Sequence, residues 1–229
     1  MIAPRYESHS TLYSTSISAT ATLVTPEGTQ PGDLLLAILT FRRNTSVVFY
    51  DPAGWTRLCD APAPSLARVA AFWRLAEVSE PATHTFQADT TSRRACGIIR
   101  FSGASQSQPI NTFGYTTGTN PHLCPEVTTD TDNCMIVRGI GFGGNQSPSF
   151  GPDYNRLWSL SSQNDGAGSY VAVALEPVLQ GLVPALSVTG GDGVAMTIAI
   201  GGSDLAAPSH RNRRLAAASM HFARTRGML

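Results

Sequence analysis

The sequence predicts an all-β protein: an antiparallel, jelly-roll-like β-sandwich followed by a short C-terminal arm that is partly helical. Apolar residues recur at every second position along much of the chain, the period of a strand with one buried face. Turn-forming residues separate these stretches at short intervals. Helix-forming character is confined to the C-terminal end, so the pattern favours a sandwich over alternating βαβ units.

The individual strands follow from this alternation. Every second residue is apolar from Ile17 to Leu23, and Leu34 to Leu39 is continuously apolar, which predicts a central strand covered on both faces. From Ala67 to Leu75, apolar side chains alternate with Arg68 and Arg74. Further strands are predicted at 82–88, 94–102, 133–142, 155–160, 169–176, 184–189 and 193–200.

Turn signals divide the strands and set the domain organisation. Examples are Pro31-Gly32-Asp33 and Asp51-Pro52-Ala53-Gly54, whose residues favour tight turns. The pattern predicts one sandwich domain over residues 1–203 and an arm over residues 204–229. A chain of this length buries roughly 70% of its unfolded surface, so the core requires no disulfide, metal or cofactor.

The arm differs from the sandwich in charge. The whole chain has a net charge of zero, which argues against attraction of its entire surface to nucleic acid or anionic lipid. Residues 204–229 contain five arginines and one aspartate, a net +4 that leaves −4 for residues 1–203. The run Leu215-Ala216-Ala217-Ala218 favours a helix between Asn212 and Arg224.

Three interpretations of the arm stay open: a solvated end, a contact with nucleic acid, or docking on an acidic protein surface. Apolar residues between the arginines favour docking, because they contribute nothing to phosphate contacts. A neighbouring copy of the protein is one candidate partner, since residues 1–203 are net negative. The predicted docking residues are Arg211, Arg213, Arg214, Leu215, Phe222, Arg224 and Arg226.

Motifs that carry catalysis are weak throughout. The G-x-G-x-x-G match at 139–144 leads into Asn145-Gln146-Ser147-Pro148 instead of a helix that would receive a pyrophosphate. Asp130 and Asp132 lack the turn glycine and the later bidentate acid of a calcium loop. The histidines show no i,i+4 pair, and there is no G-x-S-x-G elbow. We predict no catalytic residue, cofactor or metal, although carboxylates can still converge in space.

Tryptophans and cysteines complete the candidate residues. Trp73 alternates with core residues, whereas Trp55 and Trp158 lie beside turns and are candidate contacts for a glycan. The four cysteines are widely spaced, and we predict that they are reduced packing residues.

No apolar run approaches the roughly 20 residues that span a bilayer, so we expect no membrane partner and synthesis in the cytoplasm.

The order of the motifs resembles a group of β-sandwich proteins encoded among the virion genes of tailed bacteriophages and prophages. The resemblance covers about residues 15 to 200. The motifs that carry it, in chain order, are Thr25-Pro26-Glu27-Gly28-Thr29-Gln30-Pro31-Gly32-Asp33-Leu34-Leu35-Leu36-Ala37, Pro52-Ala53-Gly54-Trp55-Thr56-Arg57-Leu58, Phe72-Trp73-Arg74-Leu75-Ala76, Glu80-Pro81-Ala82-Thr83-His84-Thr85-Phe86 and Ile98-Ile99-Arg100-Phe101-Ser102-Gly103.

This resemblance implies a structural role in the virion and no enzymatic activity. The expected function is that of a capsid decoration, or cement, protein that stabilises the head lattice. Its expected partners are the major capsid protein and copies of itself, arranged as a homotrimer, with no nucleic acid. The alternative is a tail-fibre or receptor-binding module that contacts host surface glycan. The arm lies outside the shared pattern, so its docking role depends only on its own residues.

Overall fold

The computed structural model describes residues 2–42, 47–64, 66–119, 122–144, 148, 150–161, 166–174, 176–188 and 192–203. All regular secondary structure in these residues is β-strand, which confirms the predicted all-β class. The predicted helix and every predicted docking residue of the arm lie outside the described residues.

Fourteen strands make up the described part of the chain. They are β1 (Arg5–Val24), β2 (Leu34–Arg42), β3 (Thr56–Ala63), β4 (Ala67–Leu75), β5 (Thr83–Ser102), β6 (Ile110–Gly118), β7 (His122–Cys124), β8 (Val127–Thr129), β9 (Met135–Gly143), β10 (Tyr154–Leu160), β11 (Ala167–Ala174), β12 (Gly181–Val183), β13 (Leu186–Val188) and β14 (Gly193–Ile200).

Two five-stranded sheets pack face to face as an antiparallel β-sandwich. The first sheet has the order β1-β5-β2-β4-β3, and the second has the order β10-β11-β9-β14-β6. Alternate side chains of both sheets fill the space between them; Ile38, Val69, Val137 and Ile198 are among the fully or almost fully buried residues of this core.

The first sheet is also covered on its outer face. β1 and β5 are each 20 residues long, and their pairing shifts register between Ser14 and Thr20. Beyond these shifts, side chains such as Leu23 and Phe86 join Leu35 and other β2 residues in a second apolar layer. The two long strands therefore contribute to the sandwich and to the layer above it, and the prediction that β2 is covered on both faces is confirmed.

The outer face of the second sheet is covered by two short ribbons, β12-β8 and β13-β7. Arg138 of β9 is almost fully buried between the sheet and these ribbons. Its guanidinium donates to the carbonyl oxygens of Pro125 (3.0 Å) and Pro184 (2.6 Å), to Tyr154 Oη (3.2 Å) and to Thr197 Oγ1. Hydrogen bonds to one positive charge thus attach both ribbons to the sheet.

The glycines of β9 allow the two sheets to approach closely. A Cβ atom on Gly141 would lie 2.4 Å from Thr40 Oγ1 and 2.4 Å from Val69 Cγ2 of the facing sheet. Gly139 and Gly141 therefore lie inside a strand, where the absent side chain makes room for the opposite sheet. Within the glycine motif at 139–144, Gly139 and Gly141 thus serve the packing of the two sheets.

Candidate docking surfaces

Trp55, a candidate glycan contact, is only 8% exposed, so its ring does not lie open to a ligand. Its ring packs edge-to-face against His84 and Phe86, with ring centroids 5.1 and 5.0 Å away. Gly54 adopts a positive φ of 75°, which closes the turn and directs the following ring onto the outer apolar layer. The sequence places Trp55 beside a turn, but packing decides which way its ring points.

Trp158 is likewise buried, with 5% of its surface exposed. Its Nε1 donates to Ser169 Oγ at 3.2 Å, and its ring centroid lies 5.6 Å from that of His9. A Cβ on Gly97 would approach the ring to 2.7 Å, so this glycine provides the space for the indole. A sugar needs an open aromatic face, and neither predicted tryptophan offers one in this structure.

A buried cluster of charged groups lies beside Trp55. Glu80 Oε2 is 3.4 Å from Arg74 Nη2, and Glu80 Oε1 is 3.0 Å from His84 Nε2. Burial lowers the pKa of His84, and the neighbouring Arg74 lowers it further, while Glu80 raises it. Glu77 also binds Arg74, at 2.7 Å, so one arginine holds both carboxylates of the turn between β4 and β5. This cluster stabilises the turn.

The four cysteines, Cys59, Cys96, Cys124 and Cys134, are buried and free, which confirms their prediction as reduced packing residues. Burial raises the pKa of Cys59, Cys96 and Cys124 to about 12, so these thiols stay protonated at neutral pH. Within the described ranges, no group of three or more His, Cys, Asp or Glu side chains is arranged to hold a metal ion. No helix long and apolar enough to cross a membrane occurs there either.

A groove with an acidic rim lies where β10 begins and β11 ends. Among the described residues, Asp153, Tyr154, Ala174, Glu176 and Val178 line it, and its volume is about 410 Å³. Tyr154 pairs with Ala174 across the two strands, so their side chains form part of its apolar wall. The carboxylate-bearing residues Asp153 and Glu176 are exposed at its rim. We call this feature the acidic groove.

The acidic groove belongs to a strongly negative half of the sandwich. Residues 104–203 contain seven carboxylates and two arginines, a net −5, whereas residues 1–103 are net +1. One of these two arginines, Arg138, is buried under the ribbons. Asp130 and Asp132 are exposed, and Asp132 accepts a hydrogen bond from the backbone N–H of Gln180, two residues beyond the groove residue Val178 (2.8 Å).

The described chain ends close to this groove. Ile2 and Ser203 exchange two backbone hydrogen bonds of 2.9 and 3.0 Å, so the sandwich fixes both of its termini at one pole. A Cβ on Gly202 would lie 3.4 Å from the carbonyl oxygen of Asn133. The next residue, Cys134, exchanges two backbone hydrogen bonds with Val178 of the groove. Ser203, the last described residue before the arm, therefore lies at the pole that carries the acidic groove.

A second groove lies along the open side of the sandwich, between the edge strands β3 and β6. It has a volume of about 470 Å³, and Leu58, Trp73, Ile110 and Phe113 contribute its apolar lining. Phe113 and Tyr115 are 41% and 45% exposed although they share the face of β6 that is directed into the core. We call this feature the edge groove; the edge of β6 that faces away from β14 pairs with no other described strand.

Sequence reasoning missed both grooves. Asp153 and Glu176 are far apart in the chain, and only the pairing of β10 with β11 brings them together. The alternation of Phe113 and Tyr115 with Thr112 and Thr116 was a usable signal for β6, because it has the period of a strand.

Comparisons of the chain with protein-family models, with curated proteins and with solved structures found no match. The fold and its surfaces thus define an antiparallel β-sandwich with two grooves.

Proposed function

We propose that this protein is a structural component of a bacteriophage virion, a capsid decoration protein that stabilises the head lattice. The observation that carries the proposal is the polarity of the molecule. The sandwich fixes Ile2 and Ser203 side by side at one pole, and the basic arm continues from that point. A subunit built in this way can attach by one end and leave the rest of the sandwich exposed on the particle.

The layered core suits such a platform. The central strands of both sheets are buried on both faces, under residues of β1 and β5 beyond their register shifts on one side and under the short ribbons on the other. An interior packed in this way transmits force without large rearrangement, because packed cores resist compression. The motif order of residues 15 to 200, which resembles β-sandwich proteins of phage virions, agrees with this role.

The arm supplies the attachment in this proposal. Its arginines suit an acidic protein surface, and its interleaved apolar side chains add contacts that a bare charge would lack. The proposed partners are the major capsid protein and neighbouring copies of the chain, arranged as a homotrimer. Several arms of one trimer then bind together, so weak individual contacts combine into durable attachment. The protein is made in the host cytoplasm and joins the particle during assembly.

The decisive experiment changes the charge of the arm and leaves its length unchanged. In one full-length variant, Arg211, Arg213, Arg214, Arg224 and Arg226 are all replaced by Gln; in the matched control all five become Lys. We expect the Gln variant to lose most of its co-sedimentation with capsids and to lower their thermal stability. The Lys variant retains most binding, because it keeps the positive charges. Full binding by the Gln variant would refute attachment through the arm.

Localisation in the intact particle separates this proposal from its alternative. Antibody labelling of virions viewed by electron microscopy is expected to decorate the head shell. Labelling confined to the tail would overturn the decoration role and favour a fibre or receptor-binding module. Such a module would need a glycan surface other than Trp55 and Trp158, because both rings are buried.

A further inference from the structure

We propose that the acidic groove is the docking site of the arm, residues 211–229, of the same chain in the free subunit. The proposal concerns Asp153, Tyr154, Ala174, Glu176 and Val178 as the receiving surface. It goes beyond the attachment role proposed above, because it assigns the arm a place before the subunit meets a capsid.

The chemistry of the groove complements that of the arm. The groove combines an apolar lining from Tyr154, Ala174 and Val178 with carboxylates at its rim. The arm combines arginines with Leu215, Met220 and Phe222. A volume of about 410 Å³ lies in the range of pockets that hold small ligands. It therefore has room for a large apolar side chain, while arginines beside that side chain meet the carboxylates.

The carboxylates at this pole are available to a partner. Asp153 and Glu176 are exposed, and neither forms an ion pair with another residue in the part of the chain that the structure describes. Asp130 and Asp132, which are also exposed, add to the negative charge of residues 104–203. A segment with a net charge of +4 is therefore attracted to this half of the molecule.

The arm is long enough to reach the groove on its own subunit. In the second sheet, β9 and β11 lie between β14 and β10, so three strand spacings of about 4.8 Å separate the end of β14 from the start of β10, roughly 14 Å. Arg211 follows Ser203 by eight residues. An extended chain advances about 3.3 Å per residue, so this linker spans up to roughly 26 Å. The arginines and Leu215 can thus meet the groove without strain in the linker.

Tethering favours the subunit's own arm over that of another copy. A short covalent connection gives the tethered segment an effective concentration on the order of millimolar, far above that of a dilute second copy. The same groove can release its arm when the capsid supplies a larger complementary surface. In the free subunit, the arm is therefore held at the pole from which it later attaches.

The test measures how well the full-length protein shields its arm from trypsin, which cleaves after arginine. Mass spectrometry follows the appearance of arm fragments from the wild type and from an Asp153→Asn, Glu176→Gln double variant. The variant loses two exposed ion pairs, which are individually weak, so we expect the initial cleavage rate to rise about fivefold. High salt is expected to produce a similar rise in the wild type.

A matched control changes the same number of charges on the other half of the molecule. Glu7 and Glu27 are exposed and belong to the half of the sandwich that carries the first sheet. The Glu7→Gln, Glu27→Gln variant should keep the wild-type cleavage rate. An equal rise in both double variants would overturn the proposal, because it would show a general effect of net charge; so would an unchanged rate in the groove variant.

A charge exchange tests the specific contact. The substitutions Asp153→Arg and Glu176→Arg should expose the arm, and adding Arg213→Glu and Arg214→Glu should restore much of the protection at Arg224 and Arg226, whose tryptic sites are the same in every variant. If the variant that carries all four substitutions does not regain protection, the proposal is overturned. This holds even if the variant with only the two groove substitutions folds poorly. Protection that disappears on dilution would also overturn it and assign the groove to the arm of another copy. Capsid binding is a separate readout, so the arm can serve attachment whether or not it occupies this groove.

Discussion

The two halves of the sandwich treat their charges in opposite ways. In residues 1–103, carboxylates are joined to arginines: Asp33 to Arg100 at 2.6 Å, and Asp60 to Arg57 and Arg68 at 3.0 and 2.6 Å. In residues 104–203, Asp130, Asp132, Asp153 and Glu176 are exposed and form no ion pair with the described part of the chain. These carboxylates of the first half are paired within the sandwich, whereas those of the second half are exposed.

Arg138, the buried arginine of the second half, is stabilised by neutral oxygen atoms and not by a described carboxylate. Arg138 has no carboxylate partner among the described residues; oxygen atoms of Pro125, Pro184, Tyr154 and Thr197 surround its guanidinium instead. Desolvating a charge is costly unless hydrogen bonds replace the lost water, and here they come from both ribbons and the sheet. The ion pairs of one half and the carbonyl cage of the other thus serve the same structural purpose. This contrast can be tested by removing one member of each arrangement.

The largest effect is expected for Arg138→Ala. The substitution leaves the carbonyl oxygen of Pro184 without its donor and opens a cavity under the ribbons, so the free energy of unfolding should fall by about 3 kcal/mol. Chemical denaturation monitored by circular dichroism measures this loss. Arg156→Ala is the control, because Arg156 is exposed on the same sheet, and it should change stability by less than about 0.5 kcal/mol. Equal effects of the two substitutions would contradict the anchoring role of Arg138.

A smaller effect is expected for Asp33→Ala in the first half. Asp33 Oδ2 accepts hydrogen bonds from Arg100 Nε (2.6 Å) and from the backbone N–H of Gln30 (2.8 Å). Removing this buried carboxylate leaves both donors without their acceptor, which should cost about 2 kcal/mol of unfolding free energy. Asp153→Ala, which removes an exposed carboxylate from the second half, should cost less than about 0.5 kcal/mol. A comparable loss of unfolding free energy in both variants would contradict the contrast between paired carboxylates in the first half and exposed ones in the second.

Central strands were predictable from sequence because their residues are apolar on both faces. The run from Leu34 to Leu39 falls within β2, and 193–200 coincides with β14. The edge strands β3 and β6 were not predicted, since only one side of an edge strand is paired and polar residues are tolerated there. Pro62 lies within β3, which an edge position permits. The first half of β1 was also not predicted, because it is rich in Ser and Thr and shows no apolar alternation.

The outer layers and the grooves depend on contacts between residues distant in the chain. Leu23 joins Phe86 in the outer layer only because β1 pairs with β5, about sixty residues away in sequence. The burial of Trp55 and Trp158 follows from these layers, so their positions beside turns in the sequence did not reveal it. The charge contrast between the arm and residues 1–203 was readable from sequence, but which carboxylates form the acidic groove was not.

The smallest effect is expected for the pH dependence contributed by His84 in the first half. Burial, with Arg74 nearby, lowers the pKa of His84 in the folded protein below its ordinary value of 6.5. The unfolded chain therefore binds a proton at a higher pH than the native state does. Stability from the neutral imidazole is fully present above about pH 6.5 and is lost as the pH falls toward the folded pKa.

The difference in unfolding free energy between the wild type and a His84→Gln variant isolates this contribution. It should be constant above neutral pH, which serves as the internal control, and should shrink as the solution is acidified, because only the wild type has this imidazole to protonate on unfolding. A difference that grows on acidification would mean that Glu80, 3.0 Å from His84 Nε2, outweighs burial and stabilises the protonated ring. In that case His84 and Glu80 would form one more internal ion pair of the first half.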